Sequence, residues 1–232
     1  MTLISIIEKA TIDQRSDSAR ALRKPRSTKR LLKMAARALE RADQAIKDVA
    51  DVLPPPQPIA CGPECPYCCH IRVTASAPEV LLALAHIART WDEAAIKALK
   101  RKVKNIDGLT RGLNDDERAK LRLPCPLLKD GSCAAHSVRP LSCRALASVN
   151  LSACKAAYAC HMAKGVPTYE PQYQAANAVG YGLYAGLADA GYDVENIELT
   201  AALAIGLNAA DEDRDLARAW LKGQSPFAPI KS

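Results

Sequence analysis

Four cysteines within nine residues, Cys61, Cys65, Cys68 and Cys69 of the run CGPECPYCCH (61–70), constrain this 232-residue chain more than any other feature. A stretch so dense in Gly, Pro and Cys makes neither a regular helix nor a strand, and it reads as a knuckle or loop. A second run, CPLLKDGSCAAHSVRPLSCRAL (125–146), adds Cys125, Cys133 and Cys143. Within it Asp130-Gly131 is a tight-turn pair, so Cys125 and Cys133 flank a small hairpin or loop. Pro140 is placed to open a helix with Cys143 and Arg144 on its first turn. Aromatic residues make up 4% of the chain and Phe227 is its single Phe. The core must therefore come from Ala, Leu, Ile and Val, a palette that favours closely packed helices over a sandwich.

The periodicity agrees. Leu32, Ala35, Leu39, Ala42, Ile46, Val49 and Leu53 recur at steps of three and four, which predicts an amphipathic helix over 28–53. The prolines of Pro54-Pro55-Pro56-Gln57-Pro58 stop it and form a stiff linker. Ser76, Pro78 and Glu79 start a helix with Val80, Leu81, Leu84, Ile87 and Ala88 inward. Asp92 and Glu93, after Thr90, restart one through about Lys104 on Ala95, Ile96, Leu99 and Val103, with Gly108 ending the unit. Asn114 caps a short helix that starts Asp115-Asp116-Glu117. Three further helices are expected at about 170–190, 195–208 and 212–222, the last capped by Asp211. In the first of these, Tyr181, Gly182, Tyr184 and Gly186 can line a pocket, but on a helix they read rather as permitting close helix packing. The expected fold is mainly α, with little or no β and an irregular cysteine-rich metal-binding centre wrapped by helices. Residues 1–58 form a basic arm, amphipathic helix and linker, 59–165 the cysteine-cluster domain, and 166–232 C-terminal helices packed on it.

The chemistry lies in the thiols. Nine cysteines cannot all pair, and no apolar window reaches the ~18–20 residues of a membrane span. The opening MTLISII, followed at once by Glu8, is too short for a signal-peptide core, so the expected location is the cytoplasm. In a reducing compartment clustered cysteines point to metal or redox chemistry, not to a disulfide framework. Thiolate-rich sites suit zinc or iron, including iron–sulfur clusters, over magnesium or calcium. The candidate ligands are Cys61, Cys65, Cys68, Cys69, Cys125, Cys133 and Cys143, closing one site across the chain, with Arg72, Arg139 and Arg144 available to offset the anionic charge. Adjacent Cys68 and Cys69 do not readily reach one ion. Cys154 and Cys160, six apart in an Ala-rich stretch, read at least as well as structural residues. His70 and His161 stand beside cysteines and can ligate, although a lone His there is more often a bystander, and His86 and His136 carry less signal still.

The formal net charge of +7 is uneven. Residues 15–37 hold nine cations against Asp17, whereas in residues 38–232 22 cations meet 22 anions. Such an arm can attract phosphate or an acidic partner. The simpler reading is a solvated, partly disordered extension. No aromatics are interleaved to stack on bases, so a single-strand reader is not expected, and nucleic acid in general is not the favoured partner.

The pattern CGPECPYCC followed by CPLLKDGSCAAHSVRPLSCR resembles the YkgJ-type cysteine-cluster family, described as a zinc- or iron-chelating domain. That family pairs a CxxCxxCC run with a later C-P-x-L…G-x-C-x-x-[YH]-x-x-R-P-x-x-C-R run. Cys125, Pro126, Leu128, Gly131, Cys133, His136, Arg139, Pro140, Cys143 and Arg144 match the second. The first departs by one residue, with three in place of two between Cys61 and Cys65. The resemblance covers about residues 61–146 and implies a metal centre more than an activity. Flagellin lysine-N-methylases contain a similar cluster, which makes an iron–sulfur-dependent S-adenosylmethionine methyltransferase the alternative. The spacing C-x3-C-x2-C of Cys61, Cys65 and Cys68 also mimics radical S-adenosylmethionine enzymes, but the helical patterning lacks their strand-rich barrel. No nucleotide fingerprint such as G-x-G-x-x-G or a Walker loop accompanies it.

Overall fold

A computed structural model describes residues 2–62, 64–160, 166–192 and 194–227. The chain opens in a helix, α1 (Leu3–Ala21), whose first turn is closed by a reciprocal pair of bonds between Thr2 and Ser5. The next helix, α2 (Thr28–Val52), starts where the Ser27 hydroxyl accepts from the Arg30 N–H. Both lie along α8 (Glu170–Asp189), and the α1–α8 pairing is the most extensive in the molecule. Gly182 and Gly186 make that approach possible. A Cβ at Gly182 would stand 2.3 Å from the Thr11 carbonyl oxygen, and one at Gly186 2.5 Å from that of Arg15. The Thr11 hydroxyl donates across the seam to the Ala178 carbonyl at 3.1 Å.

The arm is thus not a solvated extension. Ile6, Ala10, Gln14, Ser18 and Ala21 of α1 are buried. Two of its cations are neutralised internally, Arg15 by Asp189 and Arg37 by Asp17. The 28–53 helix forms as predicted, but its buried face is Leu31, Met34, Ala35, Ala38, Leu39, Ala42, Ala45 and Val49. Leu32 and Ile46 are half-buried and Leu53 is exposed. The face turns and widens because α2 meets α1, α8 and a further helix, α3 (Ala77–Thr90), at once.

Helix α3 begins at the expected Ser76–Glu79 capping box. Asp92 caps α4 (Glu93–Thr110), which runs past Gly108, and the left-handed turn falls at Gly112 instead. Asn114 caps α5 (Asp115–Leu121). A hairpin of β2 (Leu128–Lys129) and β3 (Ser132–Cys133) turns through Asp130 and Gly131, both at positive φ, as a two-residue hairpin turn demands. Two-residue strands β1 (Thr74–Ala75) and β4 (Ile197–Glu198) pair antiparallel, with Thr74 opposite Glu198. Short helices α6 (Leu141–Ala145) and α7 (Leu151–Ala159) follow the hairpin. Helix α9 (Leu199–Asp211) absorbs Asp211, so the last helix, α10 (Leu216–Leu221), is capped by Asp215 and not by Asp211. One apolar core draws on α1, α2, α3, α8 and α9, with Leu127 and Leu141 from the second cysteine run. No helix of the described residues is long and apolar enough to cross a membrane.

Candidate metal centre

The first cysteine run is shaped by its neighbours. The Ala60 N–H donates to the Ser148 carbonyl at 2.7 Å, and Glu64 turns the chain in a left-handed conformation, φ 64°. A single 3-10 turn, Tyr67–His70, carries Cys68 and Cys69. The second run docks directly on it: the Cys125 N–H donates to the Cys69 carbonyl at 2.6 Å. At the far end of the hairpin, Glu64 N–H donates to the Ser132 hydroxyl at 3.3 Å. Beyond the hairpin, α6 is held by two anchors. The Leu141 N–H donates to the buried Glu79 carboxylate at 2.8 Å, and the Ser142 hydroxyl to the Thr74 carbonyl at 2.7 Å. These contacts bring Cys143 to the first run.

Two thiol neighbourhoods result, and Cys68 belongs to both. Cys143 lies within electrostatic reach of Cys125, Cys68 and Cys133. Cys61 lies within reach of Cys65, Cys68 and Cys154. These last four line one cavity of about 200 Å³ together with Tyr67, His70 and Tyr158. The Tyr158 ring stands edge-on to both His70 and Tyr67, at 4.8 and 5.8 Å between centroids. His70 Nδ1 is 3.0 Å from the Pro66 carbonyl, which can only accept, so Nδ1 carries the proton and Nε2 is the acceptor. The Ser148 N–H donates to the Cys61 sulfur at 3.2 Å.

All nine cysteines are free thiols, with Cys61, Cys68 and Cys160 exposed and the others half-buried. The surroundings of five of them favour the protonated form. A hydrogen bond shared with Cys69 raises the Cys68 thiol, with desolvation adding to it. Desolvation raises Cys61, Cys133 and Cys143, and pushes Cys125 up to about 11. The Arg139 guanidinium opposes this at Cys68, Cys133 and Cys143. Its Nε is buried without a hydrogen-bond partner. Arg72 is engaged by Asp115, and Arg144 by Asp43 and two carbonyls, so of the three arginines near the cysteines Arg139 is the one that acts on them.

Among the described residues, no three Cys, His, Asp or Glu side chains converge on a point where one ion would take them all. Cys61, Cys65 and Cys68 are gathered with Cys154; Cys125, Cys133 and Cys143 are gathered with Cys68; Cys69 neighbours Cys68 in the same 3-10 turn. Cys160 caps the end of α7, and His161 lies outside the described residues. His136 contacts Arg139, and His86 sits on α3 away from both groups. Sequence reasoning missed Cys154. Its signal was Asn150, whose side chain accepts from the Ala153 N–H and starts α7 as a separate element next to the cavity.

The desolvated thiols set a pH dependence. The Cys125 thiol holds its proton more tightly in the fold than its ordinary value of 9.0 allows, so the stabilisation is full below pH 9 and is lost as pH rises toward about 11. Thermal melting of metal-free, reduced protein should fall across that window, and fall less in Cys125→Ser. An equal fall in both proteins would contradict the assignment.

Comparison with family models, curated proteins and solved structures finds no match to this chain.

Proposed function

We propose that the protein binds zinc or iron, as ions or an iron–sulfur cluster, through thiolates of its two cysteine runs, with Cys154 joining Cys61, Cys65, Cys68, Cys69, Cys125, Cys133 and Cys143. The observation that carries this reading is the cavity with Cys61, Cys65, Cys68 and Cys154 in its wall, adjoined through Cys68 by the thiols of the second run. The donor set fits a thiophilic metal: the sulfurs are unpaired, clustered and backed by a cationic guanidinium. Ligation requires the thiols to turn toward a common point and to lose their protons, so loading releases acid and tightens with rising pH. Because the ligands come from segments far apart in sequence, metal binding also contributes to folding. The resemblance of residues 61–146 to a chelating family supports the same reading.

A cavity of about 200 Å³ falls below the ~300–1,000 Å³ of pockets that take organic ligands. That favours a metal-holding role over the S-adenosylmethionine methyltransferase alternative. Elemental analysis and a visible spectrum of anaerobically purified protein test the proposal. Stoichiometric zinc or iron is expected, with a visible charge-transfer band if iron–sulfur is present. Protein without stoichiometric zinc or iron refutes it. Cys68→Ser should weaken metal affinity by at least the ~10–100-fold that loss of an outer-shell partner costs, whereas Cys160→Ser should leave it unchanged.

A further inference from the structure

The corner joining α1 to α2 concentrates the charge of the molecule. Arg20, Arg23, Lys24, Arg26, Lys29, Arg30 and Lys33 fall there with no acid between them, and these seven equal the whole formal excess of +7. The remaining 25 Lys and Arg face the 25 Asp and Glu of the chain. Arg15 and Arg37, on either side of the corner, are neutralised by Asp189 and Asp17, yet none of the seven has a carboxylate within 4.0 Å among the described residues.

The corner is also rigidly built. The Arg30 guanidinium donates to the carbonyls of Arg20, Arg23 and Pro25 at 2.7, 3.0 and 2.8 Å. Arg26 lies over the Tyr192 ring, 4.9 Å from its centroid, and donates to the Leu221 carbonyl at 3.2 Å. These bonds satisfy carbonyls without cancelling charge. Arg23, Lys24, Lys29 and Lys33 remain exposed around them. Lys29 and Arg30 moreover sit in the first turn of α2, which holds no acid, where the helix dipole already presents positive potential. Among themselves these cations only repel, and a multivalent anion at the corner adds an attraction to each of them that offsets that repulsion.

From this we infer that the α1–α2 corner is a docking surface for the phosphate backbone of duplex nucleic acid, bound without sequence preference. A bilayer surface fits less well, because no large apolar side chain is exposed between residues 20 and 33 to enter the interface. A single strand fits less well too, because that segment carries no aromatic ring on which an unpaired base stacks. The corner offers fixed, closely spaced cations and nothing that reads a base edge, which is the chemistry of backbone contact.

Fluorescence anisotropy with a short mixed-sequence DNA duplex, titrated between about 50 and 200 mM salt, tests the inference on the full chain. Saturable binding is expected. Its log–log salt slope should shrink by roughly 0.9 for each phosphate released when Arg23, Lys24, Lys29 and Lys33 are all replaced by Gln. That quadruple variant should bind at least ~10-fold more weakly at low salt. A control with Arg89, Lys97, Arg101 and Lys104 replaced by Gln, all exposed and on α3 and α4, should keep the wild-type affinity. Matching melting curves and metal contents of the two variants separate lost contact from lost fold. No duplex binding at low salt, equal weakening in both variants, tighter binding to the single strand, or binding to phosphatidylserine vesicles without duplex binding would each overturn it.

Discussion

Alanine at Gly182 is expected to destabilise the protein by ~1–3 kcal/mol or more, although the same change in an ordinary helix gains up to ~1 kcal/mol. The sign reverses because the new Cβ would meet main chain. At Gly182 the nearest atoms are the Thr11 carbonyl oxygen at 2.3 Å and the Gln14 Cβ at 2.9 Å. At Gly186 they are the Arg15 carbonyl oxygen and the Ser18 Cβ, both at 2.5 Å. Neither obstacle can rotate aside, so α1 has to back away from α8 as a unit. Retreat would stretch the Thr11–Ala178 bond and the Arg15–Asp189 pair and open the seam that buries Ile6 and Ala10. Since one retreat relieves both clashes, the double Ala variant should cost less than the sum of the singles. Urea unfolding of the three variants measures this; unchanged stability or strict additivity would mean that the close seam is not what holds α1 in place.

Arg144→Ala carries the second large effect. The Arg144 side chain is 5% exposed and donates to the carbonyls of Ser137 at 2.7 Å and Arg139 at 3.1 Å, besides pairing with Asp43 on α2. Truncation strands two carbonyls at ~1–3 kcal/mol each. Asp43 is 56% exposed and is rehydrated, so its loss adds little. An overall cost of roughly 2–6 kcal/mol follows from those per-carbonyl terms. Lys at this position should not rescue, because a point ammonium cannot span both carbonyls and the carboxylate as the guanidinium fork does. The segment so anchored holds Arg139 and leads into Cys143, so bound metal should fall together with stability. Wild-type melting and wild-type metal content in Arg144→Ala would show that the anchor is dispensable.

Much of the helical framework was legible in the sequence because its signals are local. Ser76–Glu79, Asp92 and Asn114 each close a first turn through a side chain that bonds three residues along the chain, and each does so in the structure. The Asp130-Gly131 hairpin was legible for the same reason. What escaped was set by partners distant in the chain. The helical, packed state of α1 depends on two glycines more than 160 residues away, and a run of cations hid it. The buried face of α2 depends on three neighbours that no periodicity reveals. Cys154 lies on α7, which follows directly on Ser148, and Ser148 is tied both to Ala60 ahead of the first run and, as an isolated bridge, to Thr168. Its six-residue distance from Cys160 said nothing of that.

The placement of Cys68 and Cys69 side by side in one 3-10 turn has a consequence in oxidising surroundings. A peroxide attacks the thiolate and not the thiol, and Cys68, the sulfur shared by both neighbourhoods, is pushed toward the thiol by its vicinal partner and by desolvation. At the sulfur common to both thiol neighbourhoods the metal-free chain should therefore form sulfenic acid more slowly than an ordinary thiol does.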